Sequence, residues 1–401
     1  MSLPFDQISD MCIYAAVMTG KGTGAISTIQ VFGDTAEAVI RKIFEPRGTK
    51  PAKFKTGEIL LGTIHDGSKT IDQVTIGCEQ DNSFAINCHG NPLIVEMIMQ
   101  LLQHHGATLL TTEQLLAKIF SAQESISTIA VEAKLAQLKA KTIQGTKIIA
   151  NQIDAGLSKK AHNWLEKVNE ISLEKIQAEA RQILQKSQAA KFIIYGCTTA
   201  LIGPPNSGKS TLLNYLAGRQ KSIVTDIKGT TRDWVTAQCR IAPLALMMID
   251  TAGLDEEFLG PEDTIEKAAQ KKTAEILEQA DLVLLVLDNS QTTDQLDECL
   301  VKKIADKKVL TVLNKCDLPV KFDTGKLPDS LLNTVQISAK FGTGIKNLTE
   351  KIRQITGVAD FDLRTAVYFT SRQEKLLKQL QNAKSKSQAA SILSELLNGQ
   401  L

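Results

Sequence analysis

The stretch Gly203-Pro-Pro-Asn-Ser-Gly208-Lys209-Ser210 constrains the fold more than any other part of the chain. It fits the spacing GxxxxGK[ST] and lies between an apolar, strand-like run, Thr198 to Ile202, and a helical pattern starting near Thr211. Such a loop presents consecutive backbone N–H groups and the positive end of a helix to an anion, so it cradles phosphates. The residues placed to do so are Asn206, Ser207, Gly208, Lys209, Ser210 and Thr211. Lys209 reaches the β- and γ-phosphates, and the Ser210 hydroxyl is placed to ligate Mg²⁺. Three further apolar runs, Ala245 to Ile249, Leu282 to Leu287 and Val309 to Leu313, alternate with helical patterns, and each ends at a polar motif. This is the pattern of a doubly wound, mainly parallel α/β sheet with its ligand at the strand C-termini.

Those motifs narrow the ligand. Asp250-Thr-Ala-Gly253 supplies an aspartate for Mg²⁺ and, at Gly253, an N–H that can sense a γ-phosphate. In Asn314-Lys315-Cys316-Asp317, the Asp317 carboxylate can accept from guanine N1–H and N2–H₂, which adenine does not offer. Ser338-Ala339-Lys340 would support the O6 side of the base. Four motifs in this order, each at a strand end, point to GTP. Between Ser210 and Asp250 lies Gly229-Thr230-Thr231-Arg232-Asp233, where one threonine hydroxyl can close on Mg²⁺ when the γ-phosphate is present. Leu254 stands where Ras-like GTPases carry the glutamine that orients the attacking water, so another group must do that work.

The 401 residues exceed one ordinary core and suggest two or three domains, and 43% apolar residues exclude wholesale disorder. Residues 1–112 read as an α+β domain with a helix over Pro92 to His104. Residues 113–190 contain no proline and read as packed helices, with Leu165, Val168, Ile176, Ala180 and Ile183 on one face. The nucleotide-binding domain occupies 191–357, and helix returns over 358–401. The chain is thus an α/β and α+β multidomain protein in which the P-loop domain is inserted into a helical one. A net charge of +2 and 4% aromatics give no global footprint for nucleic acid or anionic membrane. No apolar run approaches the ~20 residues of a membrane helix. Asp6 and Asp10 precede any basic residue, against a secretory leader, and seven scattered cysteines without a CxxC fit reduced thiols. The expected location is cytoplasmic, away from membranes.

Over nearly its whole length the chain resembles the MnmE/TrmE family of tRNA modification GTPases. The resemblance rests on Gly203 to Asn214, the run Ser222-Ile-Val-Thr-Asp-Ile-Lys-Gly-Thr-Thr-Arg-Asp233, Asp250 to Leu254, Asn314 to Leu318 and Phe369-Thr-Ser-Arg372. Gly22 to Gly33 and Cys88-His-Gly90 match the family's opening domain more loosely. The resemblance implies a GTPase in which K⁺ replaces an arginine finger, held by Asn206, Thr225, Ile227 and Thr230, while Ser210, Thr231 and Asp250 hold Mg²⁺. Arg232 joins the catalytic candidates of this loop. The family's catalytic glutamate falls on Glu262 when counted from Asp250, and on Glu266 when counted back from Gln279-Ala-Asp281. The wording Asp263-Thr-Ile-Glu266 favours the second. The implied partners are a second copy through the N-terminal and G domains, an MnmG-type flavoprotein, and tRNA through that complex. The implied chemistry is modification at C5 of the wobble uridine with a one-carbon tetrahydrofolate.

The chain also departs from the family. Positions that resemble charged folate contacts read Gln30, Ala85 and Gln123, and the chain ends Asn398-Gly-Gln-Leu401 where a Cys-x-Gly-Lys tail is expected. His89 reads as a structural histidine. A second expectation is therefore a divergent paralogue that keeps the GTP switch but not the folate chemistry, acting as a regulatory or scaffold GTPase. A ribosome-assembly GTPase of the Era/Der type shares the P-loop and Asn-Lys-x-Asp but lacks a domain like residues 1–112.

Overall fold

The computed structural model describes residues 12–20, 22–48, 54–122, 127–218, 236–250, 274–296 and 298–399. Two compact units meet in sequence between Ser127 and Thr128.

The first unit is built on seven strands: β1 Ile13–Val17, β2 Ile26–Gly33, β3 Phe44–Pro46, β4 Ile59–Asp66, β5 Lys69–Gln80, β6 Ser83–His89 and β7 Thr108–Leu109, in the order β3-β4-β5-β6-β2-β1-β7. Strict alternation gives the sheet two different faces. Ile29 and Val31 of β2 pack with Ile40 of α1 (Ala36–Ile43) and Leu102 of α2 (Pro92–His104). Ala16 and Phe32 point the other way and bury Leu115 of α3 (Thr112–Ser121), so this helix packs within the first unit. Helix α2 starts where the sequence places it, because Asn91 accepts from the Leu93 N–H and Pro92 opens the first turn.

The second unit begins with four helices, α4 Thr128–Gln137, α5 Ile143–Asp154, α6 Gly156–Glu166 and α7 Leu173–Tyr195. The apolar face expected over residues 165–183 is divided between two helices. α6 ends at Glu166, and the Ser172 hydroxyl caps a fresh start by accepting from Lys175 N–H. There follow β8 Cys197–Ile202, α8 Lys209–Gly218, β9 Thr236–Ile241, β10 Leu244–Asp250, β11 Leu282–Asp288, α9 Glu298–Ile304, β12 Val309–Asn314, β13 Thr334–Gln336 and α10 Ile345–Thr356. The sheet order is β13-β12-β11-β8-β10-β9, parallel except for the hairpin partner β9. Leu282 to Leu287 is buried on both faces, as a central parallel strand should be.

Helices α11 Ser371–Gln381 and α12 Lys386–Asn398 return to pack with α4–α7 around Trp164, Tyr368 and Phe369. The Tyr195 hydroxyl at the end of α7 donates to the Phe369 carbonyl at 2.5 Å, across 174 residues of sequence. The point where the chain leaves the helical body is thus fastened to the point where it comes back. Among the described residues no helix is long and apolar enough to cross a membrane.

Candidate nucleotide site

The C-terminal ends of β8, β10, β11 and β12 converge on one pole of the sheet. Beyond β8 the loop passes through Asn206 in the left-handed region (φ 60°) to Gly208 (φ 93°). A side chain on Gly208 would collide with the Asn314 amide, so only glycine admits this close passage. Asn314 braces the whole pole: its Nδ2 donates to the Ser207 carbonyl at 2.8 Å, and its Oδ1 accepts from the Ala339 N–H at 2.9 Å. One buried amide therefore ties the phosphate loop, the Asn-Lys-Cys-Asp turn and the Ser338-Ala339-Lys340 loop together.

Lys209 is buried, and its ammonium donates to the carbonyls of Gly203 and Pro204, both at 3.0 Å. The Ser210 hydroxyl donates to Asp250 Oδ2 at 2.8 Å. A hydroxyl and a carboxylate side by side form an oxygen-only donor pair, the chemistry Mg²⁺ selects. Ser207 is fully buried and its hydroxyl has no partner among the described residues. A buried hydroxyl of this kind fits a loop that serves an oxygen-rich ligand. Thr211 is exposed in the first turn of α8, whose N–H groups lack intrahelical carbonyls.

On the base side, Lys315 adopts φ 63° and its ammonium bonds Asp288 Oδ2 at 2.6 Å. Burial works against a charge on Asp288. The Lys315 ammonium and the Ser290 hydroxyl and N–H outweigh it, holding the carboxyl below the ordinary range. Ser338 and Ala339 are buried, Asp317 is exposed, and the Lys340 ammonium lies 5.2 Å from the Phe341 ring centroid. Sequence reasoning missed Asp288 and Ser290. The available signal was an acid ending the apolar run at Leu287, as Asp250 ends the run at Ile249. Thr225, Ile227, Thr230, Thr231, Arg232, Gly253, Glu262 and Glu266 lie outside the described residues.

The family model for the GTP-binding protein TrmE N-terminus matches residues 13–113, and that for a 50S ribosome-binding GTPase matches 198–315. The tRNA modification GTPase MnmE of Enterococcus faecalis is 30% identical, with 96% of this chain and 88% of that protein covered. The chain belongs to the MnmE family. MnmE of Bacillus mycoides is 31% identical over 79% of this chain and 75% of its own length, and that of Clostridioides difficile 28% over 90% and 85%. As a member of the MnmE family with a P-loop GTPase domain, the protein is a GTP-hydrolysing enzyme.

Other MnmE-like segments have different physical roles. In Phe369-Thr-Ser-Arg372, Glu132 of α4 collects four donors: Thr370 Oγ1 at 2.7 Å, Arg372 Nε and Nη2 at 2.9 Å each, and Gln373 Nε2 at 2.6 Å. Arg372 also donates to the carbonyls of Glu395 and Leu396, so it caps the C-terminal end of α12. This motif is a buried fastening of the helical body.

In the first unit Gln30 is 5% exposed and its amide donates to Glu79 at 2.9 Å and Ser83 at 3.0 Å. Its cross-strand neighbours are Ala16 and Ala85. Gln123 lies outside the described residues. His89 ends β6 with its ring largely exposed. Its Nδ1 lies 2.7 Å from Asp72 Oδ1, and its N–H donates to Asp72 Oδ2 at 2.8 Å.

Proposed function

We propose that this MnmE-family GTPase acts in tRNA modification, at C5 of the wobble uridine, through a K⁺-stimulated GTP cycle. The observation that carries the nucleotide part is the Asn314 brace. It holds the phosphate loop and the base-side loops in one register, next to the Ser210–Asp250 oxygen pair. In this reading Lys209 turns from the carbonyls of Gly203 and Pro204 to the phosphates, Asp317 accepts from the guanine edge, and the Lys315–Asp288 pair stiffens the turn that carries Asp317. Ser210 and Asp250 hold Mg²⁺ with Thr231. Mg²⁺ supplies neutralisation of the charge on the β- and γ-phosphates. Asn206, Thr225, Ile227 and Thr230 hold K⁺, and Glu266 or Glu262 positions the attacking water. Homodimerisation through the N-terminal and G domains, and an MnmG-type flavoprotein and tRNA as partners, complete the reading. Phosphate release measured in KCl and in NaCl tests the potassium step: clearly faster turnover in KCl supports it, and equal rates sink it. Restoration of wobble-uridine modification in a strain lacking the family enzyme tests the coupling.

One observation favours a second reading, a member that switches on GTP without folate chemistry. A folate carries a polyanionic tail and a polar pterin. Gln30 offers no charge and its amide is already committed to Glu79 and Ser83, while Ala85 beside it has no polar group. These residues do not fit the group. Calorimetry with 5-formyltetrahydrofolate should then show weak or no binding, and tight binding would return the protein to the first reading in full.

A further inference from the structure

At the opposite end of the sheet from the nucleotide loops, a cavity of about 270 Å³ opens beside the starts of β8 and β10. These strands end at the phosphate loop and at Asp250. Six residues of β8 at ~3.3 Å each put the cavity about 20 Å from that pole.

The walls are built from both parts of the second unit. Tyr195 is held by its hydroxyl bond to Phe369 and forms one side. Gly196 follows at φ 88°, where a side chain would strike the Ala245 carbonyl oxygen at 2.9 Å. That glycine lets the backbone draw in against β10, and Lys141 Cγ lies 3.8 Å from where a Cβ on Gly196 would sit. Ala245 and Met247 add apolar surface. The charged lining consists of Lys141 and Arg240, with no acidic residue. Both cations are exposed at the cavity rim, and neither makes a side-chain hydrogen bond or ion pair among the described residues. By contrast, the lysines at positions 191 and 315 are both matched with carboxylates.

Mixed walls, apolar at Tyr195, Ala245 and Met247 and polar at Thr198 and Gln238, with two cations at the rim form a site for an anion that carries a small apolar body. The volume lies near the lower bound of about 300 Å³ for ligand pockets, which suits a single ring rather than a nucleotide. We propose that this cavity binds a small organic monoanion of the arene-carboxylate class, with the carboxylate between Lys141 and Arg240 and the ring against Met247 and Tyr195. Guanidinium and ammonium are the groups that recognise a carboxylate, and a neutral ring of equal size leaves both unserved.

The test is a calorimetric titration of the full chain with benzoate at fixed ionic strength, beside benzyl alcohol as the neutral isostere. Saturable benzoate binding that exceeds benzyl alcohol, and that falls by about tenfold in Lys141→Met/Arg240→Met, supports the site. GTP binding of the variant, unchanged, verifies that it is folded, and Lys141→Gln alone should give an intermediate loss. Absence of saturable benzoate binding, equal binding of the alcohol, or undiminished binding by the folded variant would each overturn the proposal.

Discussion

The nucleotide pole and the Glu132 fastening are both assembled from strongly worded sequence motifs, yet they handle their polar atoms in opposite ways. At Glu132 every donor comes from the chain itself, and the carboxylate is saturated by Thr370, Arg372 and Gln373. At the pole the Ser207 hydroxyl is buried without a partner among the described residues, and Asp317 stands exposed at the end of a braced turn. The saturated Glu132 carboxylate serves the fold alone, whereas the Ser207 hydroxyl and the Asp317 carboxylate hold hydrogen-bonding capacity in reserve. Gln30, served by Glu79 and Ser83, resembles Glu132 in this respect rather than Ser207.

The contrast can be broken by mutation. The largest effect should come from Glu132→Ala, which leaves the Arg372 guanidinium without its buried partner. It should lower unfolding free energy by about 3–5 kcal/mol in urea titrations, while the folded fraction turns over GTP normally. Lys209→Ala should do the reverse, cutting phosphate release by roughly 100-fold or more with little change in melting temperature. Were Lys209→Ala to unfold the protein, the division between scaffold and site would fail. Asp317→Asn should weaken GTP binding by about 2 kcal/mol, roughly 30-fold, because a neutral amide no longer accepts both guanine donors. Nucleotide competition measurements would read this, with stability unaffected.

The smallest effect is pH-dependent and sharpens the scaffold side. Hydrogen bonds from Lys191 and then Lys378 outweigh burial and pull the Glu374 carboxyl down from 4.5 to about 2. A folded-state value below the unfolded one means that the carboxylate stabilises the fold above about pH 4.5, and that this contribution drains away as pH falls towards 2. Glu374→Gln should therefore be less stable than the parent at pH 6, by less than about 1 kcal/mol for so open a pair, and should converge with it near pH 2. A gap that stays constant across acid titration would show that the ion pair is not its source.

The legible parts of the chain were those whose chemistry is local. The phosphate loop, the four central strands of its sheet and helix α2 all announce themselves within a few residues, through Gly203 to Ser210, unbroken apolar runs, and Asn91-Pro92. Strands such as β4, interrupted by Gly62, carry no comparable run and were not singled out. The gap between α6 and α7 was hidden because Leu165 and Val168 do pack against the same core as Ile176, although a turn separates them. Least legible were partnerships across long separations. Nothing near Glu132 signals Arg372, which lies 240 residues away, and Lys315 finds Asp288 only once β11 and β12 lie side by side. Gln30 reads as a lost charge in sequence, but only the fold reveals that its amide is already engaged.

The hydrogen bond from Tyr195 to Phe369 has a consequence for engineering. A domain whose two ends are fastened together imposes little loop-closure cost on its host. The helical body of α4–α7, α11 and α12 is therefore a candidate for grafting. With residues 197–360 cut out and the ends bridged by a short linker, Thr365 and Val367 stay bonded to Gln152 and the remainder should still fold. Another domain with adjacent termini could then be spliced in its place, making the helical body a socket into which switches can be exchanged.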